Sequence, residues 1–204
     1  MIIYMMRHGE TDWNVKHLFQ GRTDIPLNEN GRKVARWTRD GLKGVHFDVA
    51  YCSPLSRAKE TAEIILEGRD TKLIVDERII EMGFGGYEAT QMHNNDKEIE
   101  VFFAHPEQYV DTKGIESFES VLARAKDFLD ELSANPEYKD STILVTTHGA
   151  MIRGLVGAFK EKPVKDFWEG GVHKNCGMTI IEINGNEKKI LKEAIILYDE
   201  NDLK

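Results

Sequence analysis

Cysteine is scarce in this chain: Cys52 and Cys176 are the whole complement among 204 residues, and no CxxC spacing occurs. That excludes a disulfide-built scaffold and a thiolate metal site. It reads as two buried thiols in a reducing compartment, so a cytoplasmic location is expected. Long apolar runs are missing as well. No stretch approaches the ~18 consecutive apolar residues of a membrane span. The opening run, residues 2–6, is stopped by Arg7-His8, too short and with its charge on the wrong side for a secretory h-region. Positive charge is not in excess: 27 Lys+Arg stand against 35 Asp+Glu, a net charge of −8 with histidine neutral. Nucleic acid and anionic membrane are therefore not expected partners, because both require a basic face. A phosphate ligand would need positive charge gathered locally, against the global sign. HExxH, Asp-rich magnesium signatures and the P-loop are absent. No metal and no cofactor are expected. Fixed-period repeats and low-complexity tracts are absent too, which excludes a solenoid.

What is present is a globular composition, 41% hydrophobic and 30% charged. A chain of this length buries about 70% of its unfolded surface and needs no staple. Strand and helix patterns alternate along it. Residues 2–6, 47–51, 72–75 and 142–146 read as strands, the first a run of the kind buried on both faces. Val34, Ala35, Trp37, Thr38 and Leu42 give a helical stripe, and Ser53-Pro54 reads as an N-cap with proline at the first helical position. Phe118, Val121, Leu122, Ala125, Phe128, Leu129 and Leu132 form the strongest helical stripe, with Ser117 as its N-cap. An apolar helix over 151–159 and a hairpin around Asn184-Gly185 close the chain. The alternation predicts an α/β three-layer sandwich, a mainly parallel central sheet with helices on both faces. One domain over 1–204 is expected, with a small helical lid insertion at about 88–116. In such a sheet ligands bind beyond the carboxyl ends of the strands.

Two strands end alike, in Arg7-His8-Gly9 and Thr147-His148-Gly149. Each glycine allows a sharp turn and close approach of its amide to a ligand. Parallel strands with these endings aim both imidazoles into one crevice. A lone histidine at such a place is more often structural; two equivalent ones point to chemistry. Arg7 and Arg57 also lie at strand ends, although Arg57 alone reads as an ordinary helix-surface charge. Two arginines and two histidines converging would clamp an oxyanion, most naturally a phosphoryl group. The helix that follows His148 is expected to add its N-terminal amides and dipole to that anion.

Arg7-His8-Gly9-Glu10-Thr11, with Asn14 and Gln20-Gly21, resembles the first motif of the histidine phosphatase superfamily, in its phosphoglycerate mutase-like branch. Residues Ser53-Pro54-Leu55-Ser56-Arg57 through Ala62 resemble the second, Glu81 with Phe84-Gly85 and Glu88 the third, and Thr147-His148-Gly149 the fourth. The resemblance covers nearly the whole chain and implies roles. His8 would be the nucleophile. Arg7, Arg57 and His148 would hold the phosphoryl oxygens, Asn14 and Gln20-Gly21 would add hydrogen bonds, and the Gly149 amide would join them. Glu81 would be the general acid and then the base. The substrate would be a small phosphomonoester, and a homodimer is compatible with the sequence. The chemistry agrees: a phosphomonoester dianion resists nucleophiles until its charge is neutralised, and an alkoxide leaves only when protonated.

The chain departs from the pattern at Glu88-Ala89, where the family commonly has Glu-Gly, and at Met82-Gly83-Phe84-Gly85-Gly86-Tyr87, where its mutases have a longer Arg-His-Tyr-Gly-Gly pattern. With a length short of typical mutases, this favours a phosphatase over a 2,3-bisphosphoglycerate-dependent mutase. A non-catalytic phospho-ligand module is expected to have lost His8, Glu81 or His148. A metal hydrolase using both histidines is disfavoured because the arginines would repel a cation. Between Glu88 and Glu116 seven acids face two lysines, with Met92, Phe102, Phe103 and Tyr109 interleaved. This predicts a pocket that prefers phosphomonoesters with a neutral, apolar or cationic remainder over 3-phosphoglycerate. Trp13, Trp37 and Trp168 read as packing, and His17, His46, His93, His105 and His173 as surface or loop residues.

Overall fold

The first strand runs one residue further than its apolar pattern, as β1 (Ile2–Arg7), in the computed structural model, which describes residues 1–92, 96–185, 187–199 and 201. Among the described residues it is joined by β2 (Val49–Cys52), β3 (Lys72–Val75), β4 (Thr142–Thr147), β5 (Met178–Asn184) and β6 (Glu187–Ile195). The spatial order is β3-β2-β4-β1-β5-β6. The first four in that order are parallel, and β5 and β6 pair antiparallel as the closing hairpin. The expected mainly parallel sheet is therefore present.

The helices are α1 (Asp12–Val15), α2 (Glu29–Gly41), α3 (Ser56–Leu66), α4 (Lys97–Ala104), α5 (Phe118–Ala134) and α6 (Gly149–Lys160). They cover both faces because the central strands β1, β2 and β4 are apolar on both. Ile3, Met5, Ile143 and Val145 pack with α5 and α6, whereas Tyr4, Met6, Ala50 and Leu144 pack with α2 and α3. The links β1–α2–β2 and β2–α3–β3 step toward one edge on one face; β3–α5–β4 and β4–α6–β5 step back on the other. The direction of winding reverses beside β1 and β4, where an α/β sheet opens a crevice. The register Ile2↔Thr142 through Arg7↔Thr147 brings these two strands to an end level with each other. His8 and His148 are the next residues of each.

Two local expectations change. Ser117 caps α5 as read, accepting from the Ser120 amide at 3.1 Å. Ser53 does not cap α3. Leu55 occupies the N-cap position without a side-chain bond. The α3 amide of Ser56 is capped instead by Asp24 Oδ1 at 2.8 Å, from a distant loop. Ser53 is diverted because its hydroxyl pairs with His148 Nε2 at 2.7 Å. Strand β2 likewise starts two residues later than its apolar pattern.

Ala89, the departure seen in the sequence, sits at φ +68°, in the left-handed region that favours glycine. Its amide donates to Phe19 O at 2.9 Å, which holds it there. A Cβ in this region costs ~1–2 kcal/mol, partly offset by the ~0.5–1 kcal/mol of chain entropy that glycine loses. Ala89→Gly should therefore raise stability by about 0.5–1 kcal/mol, read as a higher urea midpoint at unchanged slope. A lower midpoint would show that the alanine methyl makes contacts worth more than the strain.

Residues 88–92 and 96–116 contain α4 and a 3₁₀ turn, Pro106–Gln108, and residues 93–95, with His93, lie outside the described residues. Phe102 anchors the segment among Phe118, Trp168 and Phe84, with ring centroids 4.9, 5.4 and 6.1 Å away. Cys52 and Cys176 are free and buried, and burial pushes their thiols up to about 11 and about 12. Among the described residues no helix is long and apolar enough to cross a membrane.

Candidate active site

His8 begins where β1 ends, held by its own amide on Thr147 O at 2.9 Å. Gly9 turns the chain against α2, where a Cβ would meet Gly31 O at 2.7 Å, so no larger residue fits without movement. The Gly9 amide donates to Thr61 Oγ1 at 2.9 Å. His8 Nδ1 lies 2.6 Å from Gly9 O. A carbonyl only accepts, so Nδ1 carries the hydrogen and Nε2 keeps its lone pair. Burial holds the imidazole well below its usual pKa, and the neighbouring Arg57 and Arg7 charges act in the same direction. His8 is thus a neutral imidazole with a bare Nε2, the form that attacks.

His148 is the N-cap residue of α6. Its ring centroid is 5.2 Å from that of His8, and it too is held neutral, by burial first and then by Arg57. Both histidines therefore share one crevice, and the Ser53 hydroxyl orients the second. The Arg57 guanidinium is fully buried and spans Thr23 O at 2.9 Å and Gly21 O at 2.7 Å. Arg7 donates through Nη1 to His173 O at 2.6 Å. Burial lowers both guanidinium pKa values, that of Arg57 to about 10, with Glu81 countering the effect. Among the described residues no carboxylate comes within ion-pair distance of either, and Arg7 Nε, Arg57 Nε and His148 Nδ1 have no hydrogen-bond partner. A buried and a half-buried guanidinium without a carboxylate partner suit a dianionic guest.

Glu81 is pinned by amides. Its Oε1 accepts from Met82 at 2.9 Å and Met151 at 3.0 Å, and its Oε2 from Ala150 at 3.4 Å. The N-terminal amides of α6 at Ala150 and Met151 therefore serve Glu81, a correction to the expectation that they serve the phosphoryl anion. The reason is proximity: the loop after β3 brings the carboxylate to that end before any ligand reaches it. A Cβ added at Gly149 would meet Val172 Cγ1 at 2.7 Å, so a larger residue there would displace this part of the cavity wall.

Gly21 sits at φ +53°, and a Cβ there would meet Glu88 Oε1 at 2.0 Å. Its carbonyl holds Arg57. Glu88 in turn accepts from the amides of Arg22, Thr23 and Phe84 at 3.0, 3.0 and 3.1 Å, tying the first and third motifs together. A cavity of about 590 Å³ opens over this group, lined by Arg7, His8, Asn14, Gln20, Gly21, Arg57, Glu81 and Gly149. His148 stands beside them. All nine residues singled out in the sequence are thus brought together. Among the described residues no group of three or more histidine, cysteine, aspartate or glutamate side chains is placed to hold a metal ion.

The sequence reading missed residues 172–175 and Tyr198, which also line the cavity. His173 lies in a loop, as read, but not at the surface. It is buried, its Nε2 lies 2.7 Å from Thr179 Oγ1, and burial pushes its pKa down to about 4. No period marks this stretch; it reaches the site only because β5 pairs with β1. His17 lines the cavity as well. Trp168 packs as read, donating to Phe102 O at 2.9 Å, yet it also forms cavity wall.

The acids between Glu88 and Glu116 do not line the cavity among the described residues. Asp96 and Glu98 accept from the Tyr87 hydroxyl at 2.9 Å, and Glu116 pairs with Arg124 at 2.9 Å. The electrostatic basis for the expected substrate preference is therefore removed; beyond the site residues the lining carries one acid, Glu10, and one base, Lys174. Met92 and Phe103 do face inward, with Phe19, Phe84 and Trp168.

Residues 3–195 match the sequence profile of the histidine phosphatase superfamily (branch 1). Phosphoserine phosphatase 1 of Hydrogenobacter thermophilus is 30% identical over 96% of this chain and 93% of its own length. A 2,3-bisphosphoglycerate-dependent phosphoglycerate mutase of Mesorhizobium japonicum is 32% identical over 95% of this chain and 97% of its own. The solved structure of Bacillus stearothermophilus YhfR superposes with a TM-score of 0.87 at 31% identity, covering 96% of this chain and 97% of that one. A mutase of matching length shows that chain length does not separate the two activities here.

Proposed function

The chain belongs to the histidine phosphatase superfamily, and on that footing we propose that it hydrolyses small phosphomonoesters through a phosphohistidine on His8, in the cytoplasm and without a metal. The observation that carries this is the neutral His8, its Nε2 bare, beside the buried Arg57 and the half-buried Arg7, neither of which has a carboxylate partner among the described residues. The substrate dianion lies between Arg7 and Arg57. Asn14, Gln20 and His148 donate to its oxygens, and the Gly149 amide adds to them. His8 Nε2 attacks phosphorus in line with the ester oxygen. Charge growing on the equatorial oxygens is met by groups already in place, so little reorganisation is needed. Glu81 passes its proton to the leaving alkoxide as the P–O bond breaks. It then takes a proton from the water that cleaves the P–N bond, and phosphate departs.

The segment at about 88–116 serves in this reading as a lid. Met92 and Phe103 from it, with Phe19, Phe84 and Trp168, form an apolar wall for the rest of the substrate. A mutase reading keeps a specific support, the Mesorhizobium relative. The two differ in the fate of the phosphoryl group: a mutase returns it to a second hydroxyl, a phosphatase gives it to water.

The test is phosphate release from a panel of monoesters in EDTA, alongside 3-phosphoglycerate isomerisation with and without 2,3-bisphosphoglycerate. Expected are metal-independent release and kcat/KM higher for aryl and alkyl phosphates than for 3-phosphoglycerate. Isomerisation outrunning phosphate release would establish the mutase instead, and activity only with added metal would overturn the arginine clamp.

A further inference from the structure

We propose that Asn175 is a positioning residue: it fixes the side-chain amide of Asn14 so that its NH₂ group faces the phosphoryl oxygens, and in the same act tethers the main chain of the nucleophile. This rests on the phosphohistidine reading above.

One group at this site has a polarity that is not open to choice. The His8 carbonyl accepts and cannot donate. Asn175 places a side-chain amide atom 3.1 Å from it, and only the NH₂ end can occupy that place. The orientation of the Asn175 amide is therefore dictated by His8. The same nitrogen lies 3.2 Å from Asn14 Oδ1. Its second hydrogen needs an acceptor, so the Asn14 atom facing it is the oxygen. The Thr11 amide, 3.1 Å from the same oxygen, makes the same demand. With its oxygen engaged on that side, Asn14 presents NH₂ on the other. Asn14 and Asn175 both line the cavity over Arg7, His8 and Arg57. Asn14 Oδ1 is thus held jointly by the Thr11 amide, the Thr11 hydroxyl at 3.1 Å and Asn175, and the Asn175 share of that hold begins at the main chain of the residue that attacks.

Gln20 lacks this constraint. Its oxygen meets the Thr11 hydroxyl at 3.0 Å, a group that can donate or accept. The turn that carries Asn175 is itself fixed to the end of β1. The Cys176 amide donates to Arg7 O at 3.1 Å and His8 O at 3.2 Å, and the Arg7 amide donates to Gly177 O at 2.9 Å. Tyr198 closes the set from near the C-terminus, its hydroxyl donating to Asn175 O at 2.9 Å. The consequence is a polar donor aimed at the anion by a residue that sequence patterning does not mark. A small misplacement at a reacting centre can cost up to about 10²-fold in rate.

Four variants test this: Asn175→Ala, Asn175→Asp, Asn14→Ala, and the double change Asn14→Ala with Asn175→Ala. Thermal melts establish that each is folded. With a monoester the wild type hydrolyses, Asn175→Ala should lower kcat about tenfold or more, with a smaller rise in KM. Asn175→Asp, the same shape without donors, should lose at least as much. In the Asn14→Ala background, the loss from Asn175→Ala should shrink clearly, because the amide it orients is gone. Equal fold losses in both backgrounds, or wild-type kcat in Asn175→Asp, would overturn the proposal. A parallel calorimetric titration with inorganic phosphate reads the same donor without turnover. Asn175→Ala should weaken that binding several-fold, and unchanged affinity would also overturn the proposal. If the wild type hydrolyses nothing, the catalytic reading above fails, and the titration still decides whether Asn175 sets the donor.

Discussion

His8→Ala should give a folded protein that still binds inorganic phosphate yet turns over on the order of 10⁴-fold more slowly or worse. In the proposed mechanism the site separates binding from attack: Arg7, Arg57 and their neighbours would hold the anion, and none of them takes its orientation from the His8 ring. Arg57 is fixed by the carbonyls of Gly21 and Thr23, and Arg7 by that of His173. The ring bonds instead to its own neighbour, Gly9 O. Removing it deletes the nucleophile and leaves the clamp. In the wild type, mixing with a ³²P-labelled monoester and quenching within milliseconds should leave label on residue 8. A phosphoramidate is labile in acid and survives alkali, so the label should vanish in acid and persist in base. Label on a serine or an acid, or appreciable turnover by His8→Ala, would end the phosphohistidine mechanism. Loss of phosphate binding together with activity would instead mean that the ring supports the clamp.

The two histidines and Arg7 were legible because they sit at strand ends; Arg57, in the first turn of α3, carries no such mark of its own. An apolar run followed by Arg-His-Gly declares both the strand and its end, and the parallel register of β1 and β4 does the rest. The three-layer fold was legible for the same reason: strands buried on both faces demand helices on both faces. The partners in space were not. Ser53 reads as a helix cap from its local neighbours, yet its hydroxyl belongs to His148, 95 residues away. The Ala150 and Met151 amides read as an anion site, and a carboxylate from another loop reaches them first. Residues 172–175 carry no pattern because they are neither strand nor helix; β5 brings them in by pairing with β1. The acids of residues 88–116 could be counted but not aimed. Tyr87, Arg22 and Arg124, all distant or unmarked in the sequence, hold Asp96, Glu98 and Glu116. Charge composition predicts the sign of a segment; which side faces a cavity is a tertiary property.

Glu81→Gln should have an effect that depends on the leaving group. An alkoxide must be protonated as it departs, so kcat/KM on an alkyl phosphate should fall ~10²–10⁴-fold. Nitrophenolate leaves without a proton, so kcat/KM on p-nitrophenyl phosphate should fall less than about tenfold. The ratio kcat/KM is the quantity to compare because it covers only the steps through formation of the phosphoenzyme. The second step is common to all substrates: with Glu81 no longer able to take a proton from water, hydrolysis of the P–N bond slows equally. With p-nitrophenyl phosphate the variant should therefore release a burst of one nitrophenolate per site, then turn over slowly with phosphate accumulated on His8. Glutamine fits the site only in part. Its carbonyl can keep the Met82 and Met151 amides that now bind Oε1, but its NH₂ would face the Ala150 amide, which now donates to Oε2. A general loss of order at the start of α6 would depress every substrate alike. Equal losses of kcat/KM on the two esters, without a burst, would therefore assign Glu81 to holding α6 in place. Unequal losses with a burst would place its proton on the leaving oxygen first and its lone pair on water second.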